Sequence, residues 1–342
     1  MNPKVSVLMP AYNAGKFISQ AINSILCQTF SDFELIIIDD ASKDNTWSLI
    51  TAFDDSRIRK YRNANNLGIS LTRNALIELA EGSYIAWLDA DDISTSNRLE
   101  VQCNFLENNI DYVFIGSSAF VIDVHGNSKG KWEFVDNYDY IKVGLFFKNQ
   151  FVQSSIMVRS DIIKLIKYDV LAQPVEDYLM WYQLTKHGKA TNLEECLVSY
   201  RIHPSGATLS RFELNERGVS YVLKHIFGDL DFYVSESEFL IHHSFSFPGH
   251  FIFHRTRFYD ILKWVKKIED VLSKKLWADH FFVKRFIFKE LIKVMPFFGR
   301  FELLITLPMF LFYYGHLVNG FSEIKQVLNR AFIKERVVIK AS

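Results

Sequence analysis

Cysteine is scarce in this chain. Cys27, Cys103 and Cys196 are its only three, and they lie too far apart for a disulfide framework or for metal-ligand spacing. A reducing compartment is the expectation. Net charge is also lacking: 39 Lys plus Arg balance 39 Asp plus Glu, so no basic surplus points to a nucleic-acid partner. No charged leader with an apolar run precedes the first strand at Val5, so no secretory signal is read and a cytoplasmic location is expected. Glycine is thin where a phosphate loop would need it. Pro10-Ala11-Tyr12-Asn13-Ala14-Gly15-Lys16 follows the first strand with a single glycine, which excludes the G-x-G-x-x-G turn of a nicotinamide-dependent dehydrogenase. The same stretch disfavours a sugar-phosphate nucleotidyltransferase, which would need a Gly-rich loop with a basic residue there. No internal repeat or low-complexity tract is present.

What the chain does contain is unevenly spread. Residues 1–200 hold 18 basic and 25 acidic side chains, whereas residues 201–342 hold 21 and 14. An acidic front half beside a basic, aromatic back half suggests two different jobs. The expected division is a catalytic domain over 1–210 and a helical region over 211–342.

The front half alternates strands and helices. Val5–Met9 is a short apolar run of buried-strand type, and Phe17/Ile18, Ala21/Ile22 and Ile25/Leu26 then recur at helical spacing. Phe33–Ile38, Ile58–Tyr61 and Tyr84–Leu88 read as further strands, with helices starting near Asn45 and covering Ser70–Ala80. Strands buried on both faces and separated by helices indicate a parallel sheet of βαβ units, an α/β fold. After Asp92 the pattern becomes mixed. A helix is expected around Ser96–Glu107, strands near Tyr112–Ile115, Ala119–Val124 and Ser154–Val158, a helix over Glu176–His187 and a strand over Leu193–Arg201.

Polar clusters stand at the ends of these strands, where ligands bind in open α/β sheets. Tyr12 offers an aromatic face beside Pro10 and Asn13. Asp40, in Asp39-Asp40-Ala41-Ser42, can accept from the ring N–H of a uracil or thymine, with helix capping as the alternative. Asn66 stands in the turn before the third helix, and Arg73 on that helix can reach a phosphate or base; a surface ion pair is its plain alternative. Asp89 and Asp91 are two carboxylates, two residues apart, competent for Mg²⁺ or Mn²⁺. Turn or cap duty is the other reading of that pair. Asp229-Leu230-Asp231 shares the spacing and is assigned no role. Glu176 and Asp177 open a helix, where the dipole favours acids without any catalytic duty; the functional reading makes Asp177 a general base and Glu176 its orienting neighbour. Arg201, His203 and Ser205 could fold over a diphosphate or complete a metal shell, although a lone His is often structural.

Together these motifs resemble the family 2 inverting glycosyltransferases, which have the nucleotide-sugar-binding GT-A fold. The likeness covers roughly residues 3–205, through P-x-Y-N, D-D-x-S, N-x-G-x-S-x-x-R-N, D-x-D, E-D and Y-R-x-H-x-x-S. It implies Pro10, Tyr12, Asn13, Asp40, Asn66 and Arg73 at the nucleotide, Asp89 and Asp91 at the metal, and Asp177 as base. Arg201, His203 and Ser205 would serve the pyrophosphate or the acceptor side, with His203 also a metal ligand. Ala41 stands where the family usually has Gly. The Q-x-x-R-W signature of processive synthases is missing, so single addition is expected rather than polymerisation. The implied activity is transfer from a nucleotide-diphosphate sugar, a UDP-sugar being favoured, to a glycan or lipid-linked acceptor in surface-polysaccharide synthesis. A sugar-nucleotide-binding scaffold without catalysis is the competing class.

The tail has no such likeness. Leu303–Ser322 is a 20-residue run without a charged side chain, although Pro308, Gly315, His316, Asn319 and Gly320 interrupt it. Phe281–Lys289 mixes aromatics with cations, as interfacial helices do. Peripheral contact with the inner membrane at its cytoplasmic face, a soluble helical appendage or homo-oligomer contact, and a true span all remain readings of this region.

Overall fold

The computed structural model describes residues 2–203, 212–246, 258–275 and 280–294. The chain divides into two compact units. One comprises Met1–Ile141 with Asn149–Val222, the other Lys142–Lys148 with Leu223–Ser342.

The first unit is built on one nine-stranded sheet, in the order β3-β2-β1-β4-β8-β6-β9-β5, with β7 paired to β6. Its first half is parallel, as the alternation of strand and helix predicts. β1 (Val5–Ala11) lies between β2 (Phe33–Asp39) and β4 (Tyr84–Trp87), and β3 (Ile58–Arg62) flanks β2. Every residue of β1, β2 and β4 is buried, which is why these strands read as continuous apolar runs. Helix α1 (Ile18–Leu26) turns Ile18, Ala21, Ile22 and Ile25 inward, onto Val5, Val7 and Met9. Burial stabilises by about 1.5–3 kcal/mol for each large aliphatic side chain. α2 (Thr46–Thr51) and α3 (Ile69–Leu79) complete the βαβ units.

β1 tolerates a proline for a topological reason. Its pairing with β4 stops at Leu8↔Trp87, and Leu88 N donates to Leu8 O at 3.1 Å. Pro10 shares the alternation of Leu8, so its missing N–H falls where β4 has already ended.

The other half departs from the expected pattern. Tyr112–Ile122 is one 11-residue strand, β6, rather than two. The polar Ser117-Ser118 step that reads as a break is a register shift against β9 (Lys189–Arg201). Its hydroxyls are satisfied locally, Ser117 Oγ donating to Ser118 O and Ser118 Oγ accepting from Phe134 N. Ser154 belongs to a 3₁₀ turn (Gln153–Ser155) preceding β8 (Met157–Arg159), which pairs antiparallel with both β4 and β6. β5 (Ile93–Ser94), β7 (Ser128–Trp132) and α5 (Tyr138–Leu145) escape a pattern reading; β7 is exposed throughout and carries no alternation. α4 (Arg98–Asn108), α6 (Ser160–Ile163) and α7 (Glu176–Leu184) cover the remaining faces.

In the second unit, α8 (Phe212–Asp229, shared with the first), α9 (Glu236–Ser246), α10 (Phe258–Lys275) and α11 (His280–Val294) follow in order. Its centre is aromatic. Phe232 stacks parallel on Trp264 at 5.6 Å, and the fully buried His242 sits among Phe146, Phe147, Phe227 and Trp264. Phe286 and Phe288, expected on an interfacial face, are turned inward instead. Among the described residues no helix is long and apolar enough to cross a membrane. The Leu303–Ser322 run lies outside them.

Candidate active site

The carboxyl ends of β1, β2 and β4 are neighbours on one sheet edge, and short hydrogen bonds join the loops that leave them. Asp40 N donates to Ala11 O at 2.8 Å, Asn13 N to Ser42 Oγ at 2.9 Å, and Lys43 N to Asn13 Oδ1 at 2.9 Å. Asn13 and Ala41 take left-handed backbone (φ 51° and 58°) to make these turns. Tyr12 stands beside them with 43% of its surface exposed, an open aromatic face.

Asp40 is tied to a neighbouring loop. Its carboxylate accepts from Asn63 Nδ2 at 2.7 Å and from the amides of Leu67 and Gly68 at 2.9 Å each. Asn66 joins in, donating to Asp40 O at 3.2 Å. Both residues thus hold the 63–68 loop at the start of α3, which makes loop anchorage the observed duty of Asp40. The neighbouring Asp39 is fully buried at the strand end. Its Oδ1 accepts from Ser42 N, while Oδ2 lies 3.0 Å from Arg62 Nε without hydrogen-bond geometry.

Arg73 is the hub of the site. Helix α3 carries it inward between the rings of Trp87 (5.8 Å) and Tyr168 (5.5 Å). One guanidinium nitrogen pairs with Glu176 Oε1 and the other with Asp89 Oδ1 at 3.0 Å. Motifs a hundred residues apart are therefore joined by one side chain, which is 5% exposed. It is neither the surface ion pair nor the open phosphate ligand that the sequence leaves in play. Burial raises the proton affinity of Asp89, Arg73 opposes that, and Asp91 adds to it.

Asp91 pairs with the ring of His203, Oδ2 to Nε2 at 2.9 Å, and that ring also packs on Phe17 at 5.0 Å. Asp92, the last member of the same acidic cluster and given no separate role from sequence, ties the site together. It accepts from Ser154 Oγ and, at 2.8 Å, from Arg201 N, while Ser154 Oγ in turn accepts from Asp89 N at 3.0 Å. Burial, with Asp91 and Asp89 close by, pushes the Asp92 carboxyl well above its ordinary range. Arg201 was expected to face the diphosphate. It is buried, and its guanidinium donates to the carbonyls of Asp91, Asp123 and Val124 and to Gln20 Oε1. With donors spent on two loops and on α1, it is a clamp. Ser205 lies outside the described residues.

Asp177, on the first turn of α7, is half-buried. Oδ1 accepts from Tyr178 N and Oδ2 from Asn149 Nδ2, both at 2.8 Å. Burial, then the charge of Glu176, push its carboxyl up to about 7 against the pull of Arg73. A carboxylate so placed changes protonation near neutrality, as a general base should.

This geometry can be set beside known proteins. The sequence profile of Glycosyl transferase family 2 matches residues 6–173. An uncharacterized glycosyltransferase of Methanocaldococcus jannaschii is 36% identical over 229 residues, which cover 65% of this chain and 79% of that one. The chain belongs to glycosyl transferase family 2. A second relative, from Escherichia coli, is the UDP-Glc:alpha-D-GlcNAc-diphosphoundecaprenol beta-1,3-glucosyltransferase WfgD. It is 31% identical over 222 residues, 61% of this chain and 81% of its own. Among solved structures, TarS 1-349 of S. aureus in complex with UDP superposes with a TM-score of 0.54 at 17% identity, covering 86% of this chain and 90% of its own. The mannosyltransferase PcManGT of Pyrobaculum calidifontis, in complex with GDP-Man and Mn²⁺, gives 0.52 at 13% identity, covering 92% and 86%. The glycosyltransferase has the GT-A fold that its motifs imply.

Among the described residues of this family 2 enzyme, no group of three or more His, Cys, Asp or Glu side chains is gathered to hold a metal. The donors that are gathered are Asp91 with His203, and Asp89 with one oxygen engaged by Arg73. Such a set suits a cation that takes one or two carboxylates and completes its shell from substrate phosphates and water. Sequence reading missed Asn149 and Ser154, which nothing in sequence marks, and gave Asp92 no role of its own although it is the third acid after β4.

Proposed function

We propose that the protein is a metal-dependent inverting glycosyltransferase, moving one sugar from a UDP-sugar to a hydroxyl of a lipid-linked saccharide. The observation that carries this reading is the Arg73 bridge, which couples the acid of the donor side, Asp89, to Glu176 beside the base Asp177. WfgD and WfaP, both of Escherichia coli, are named as glucosyltransferases acting from UDP-Glc on a GlcNAc-diphosphoundecaprenol, which supports this donor and acceptor class.

Each side chain then has a task. Tyr12 stacks on the base. Asp40, directly after β2, is the acceptor for a ring N–H of the base; its carboxylate takes three bonds from the 63–68 loop and keeps acceptor capacity on Oδ2. Asp91, His203 and Asp89 would hold Mg²⁺ or Mn²⁺, which supplies neutralisation of charge building on the departing diphosphate. Asp177 removes the acceptor hydroxyl's proton as that oxygen attacks the anomeric carbon and the UDP oxygen leaves. The transition state is oxocarbenium-like, and one displacement turns an α-linked donor into a β-linked product.

The test is UDP release from UDP-glucose, with Mn²⁺ and a GlcNAc-diphosphate polyprenyl acceptor. Asp177→Asn should lower turnover at least 100-fold while UDP still binds. Wild-type rates in that variant would remove Asp177 from the mechanism.

A further inference from the structure

We infer that Asn149 is a positioning residue for Asp177. The inference rests on the proposed role of Asp177 and extends it to how the base is kept in place.

The Asn149 amide is fixed at both ends. Its Oδ1 accepts from Phe151 N at 3.1 Å, which leaves Nδ2 to face Asp177 Oδ2 at 2.8 Å. A donor on that oxygen favours the ionised carboxylate, the form that accepts a proton. The other groups acting on Asp177 are Glu176, Arg73 and Tyr168, together with the amide of Tyr178. Glu176 and burial oppose ionisation; Arg73 and the two hydrogen bonds assist it.

The test compares kcat against pH in the full-length protein for wild type, Asn149→Ala and Asn149→Asp, using UDP-glucose, Mn²⁺ and the same lipid-linked acceptor. Loss of a hydrogen bond to a charged group should move the acid limb of the Asn149→Ala profile up by about one pH unit. That is about a five-fold loss of kcat at pH 7, recovered above pH 9, with KM for UDP-glucose unchanged. Asn149→Asp should move the limb further, since it exchanges a donor for a like charge. Equal losses at every pH, or an unmoved limb, would overturn the role of Asn149. The ¹³C titration of the Asp177 carboxyl, assigned by its disappearance in Asp177→Asn, reads the same shift without turnover. It separates failure of this inference from failure of the glycosyl-transfer reading.

Discussion

At the scale of single residues, burial has set the chemistry of Asp177. The folded carboxyl, at about 7, holds its proton more tightly than the unfolded one at 3.8. Between those two values the native state binds more protons than the unfolded state, so this group makes stability fall as pH rises from 3.8 through 7. Asp177→Asn should therefore flatten that decline, and its Tm relative to wild type should climb between pH 5 and 8. A constant difference in Tm across that range would refute the assignment. Ala41 poses a separate question. At φ 58° it occupies backbone that favours glycine, in the turn that brings Ser42 under Asn13. Ala41→Gly should stabilise by about 1 kcal/mol in urea denaturation, because relief of left-handed strain outweighs the added chain entropy.

At the scale of elements, α4 is the clamp on the strand that ends at the acidic motif. Arg98 is fully buried. It donates to the carbonyls of Trp87 (2.9 Å) and Ile156 (3.1 Å) and to Gln102 Oε1 (2.9 Å). Burial lowers its proton affinity, and Asp92 opposes that. One guanidinium thereby ties β4 to the 3₁₀ turn that holds Ser154, and Ser154 ties Asp89 to Asp92. Arg98→Met fills the volume but leaves two carbonyls short of donors. It should destabilise by about 2–4 kcal/mol in chemical denaturation and lower kcat more than KM. An unchanged denaturation midpoint would show that the helix packs without this clamp.

At the scale of the whole molecule, the charge asymmetry remains to be assigned. Residues 251–300 carry 12 basic and 5 acidic side chains, beside a front half of opposite sign. We propose that this region meets the anionic cytoplasmic face of the membrane where a lipid-linked acceptor resides. Basic side chains near such a leaflet contribute roughly 1 kcal/mol each before screening. Binding to vesicles containing phosphatidylglycerol should be strong at 50 mM salt and lost by 500 mM. Full recovery in the unbound fraction at low salt would count against it. The inward turn of Phe286 and Phe288 means that charge, rather than those aromatics, has to supply the attraction.

The parallel half of the sheet and its strand-end clusters were legible because each strand there is a short apolar run closed by polar residues. Local spacing determines that much: which residues form strands, and which leave them. It also gave the family, since six short motifs keep their order. Partners were another matter. Arg73, Asp40 and Arg201 stand out in the sequence, yet whether such a side chain faces a ligand, a loop or an acid a hundred residues away depends on contacts across the sheet. Asn149 and Ser154 carry no sequence signal at all. Their importance arises from hydrogen bonds formed only after distant segments pack, because a polar side chain acquires its role from whichever group burial leaves beside it.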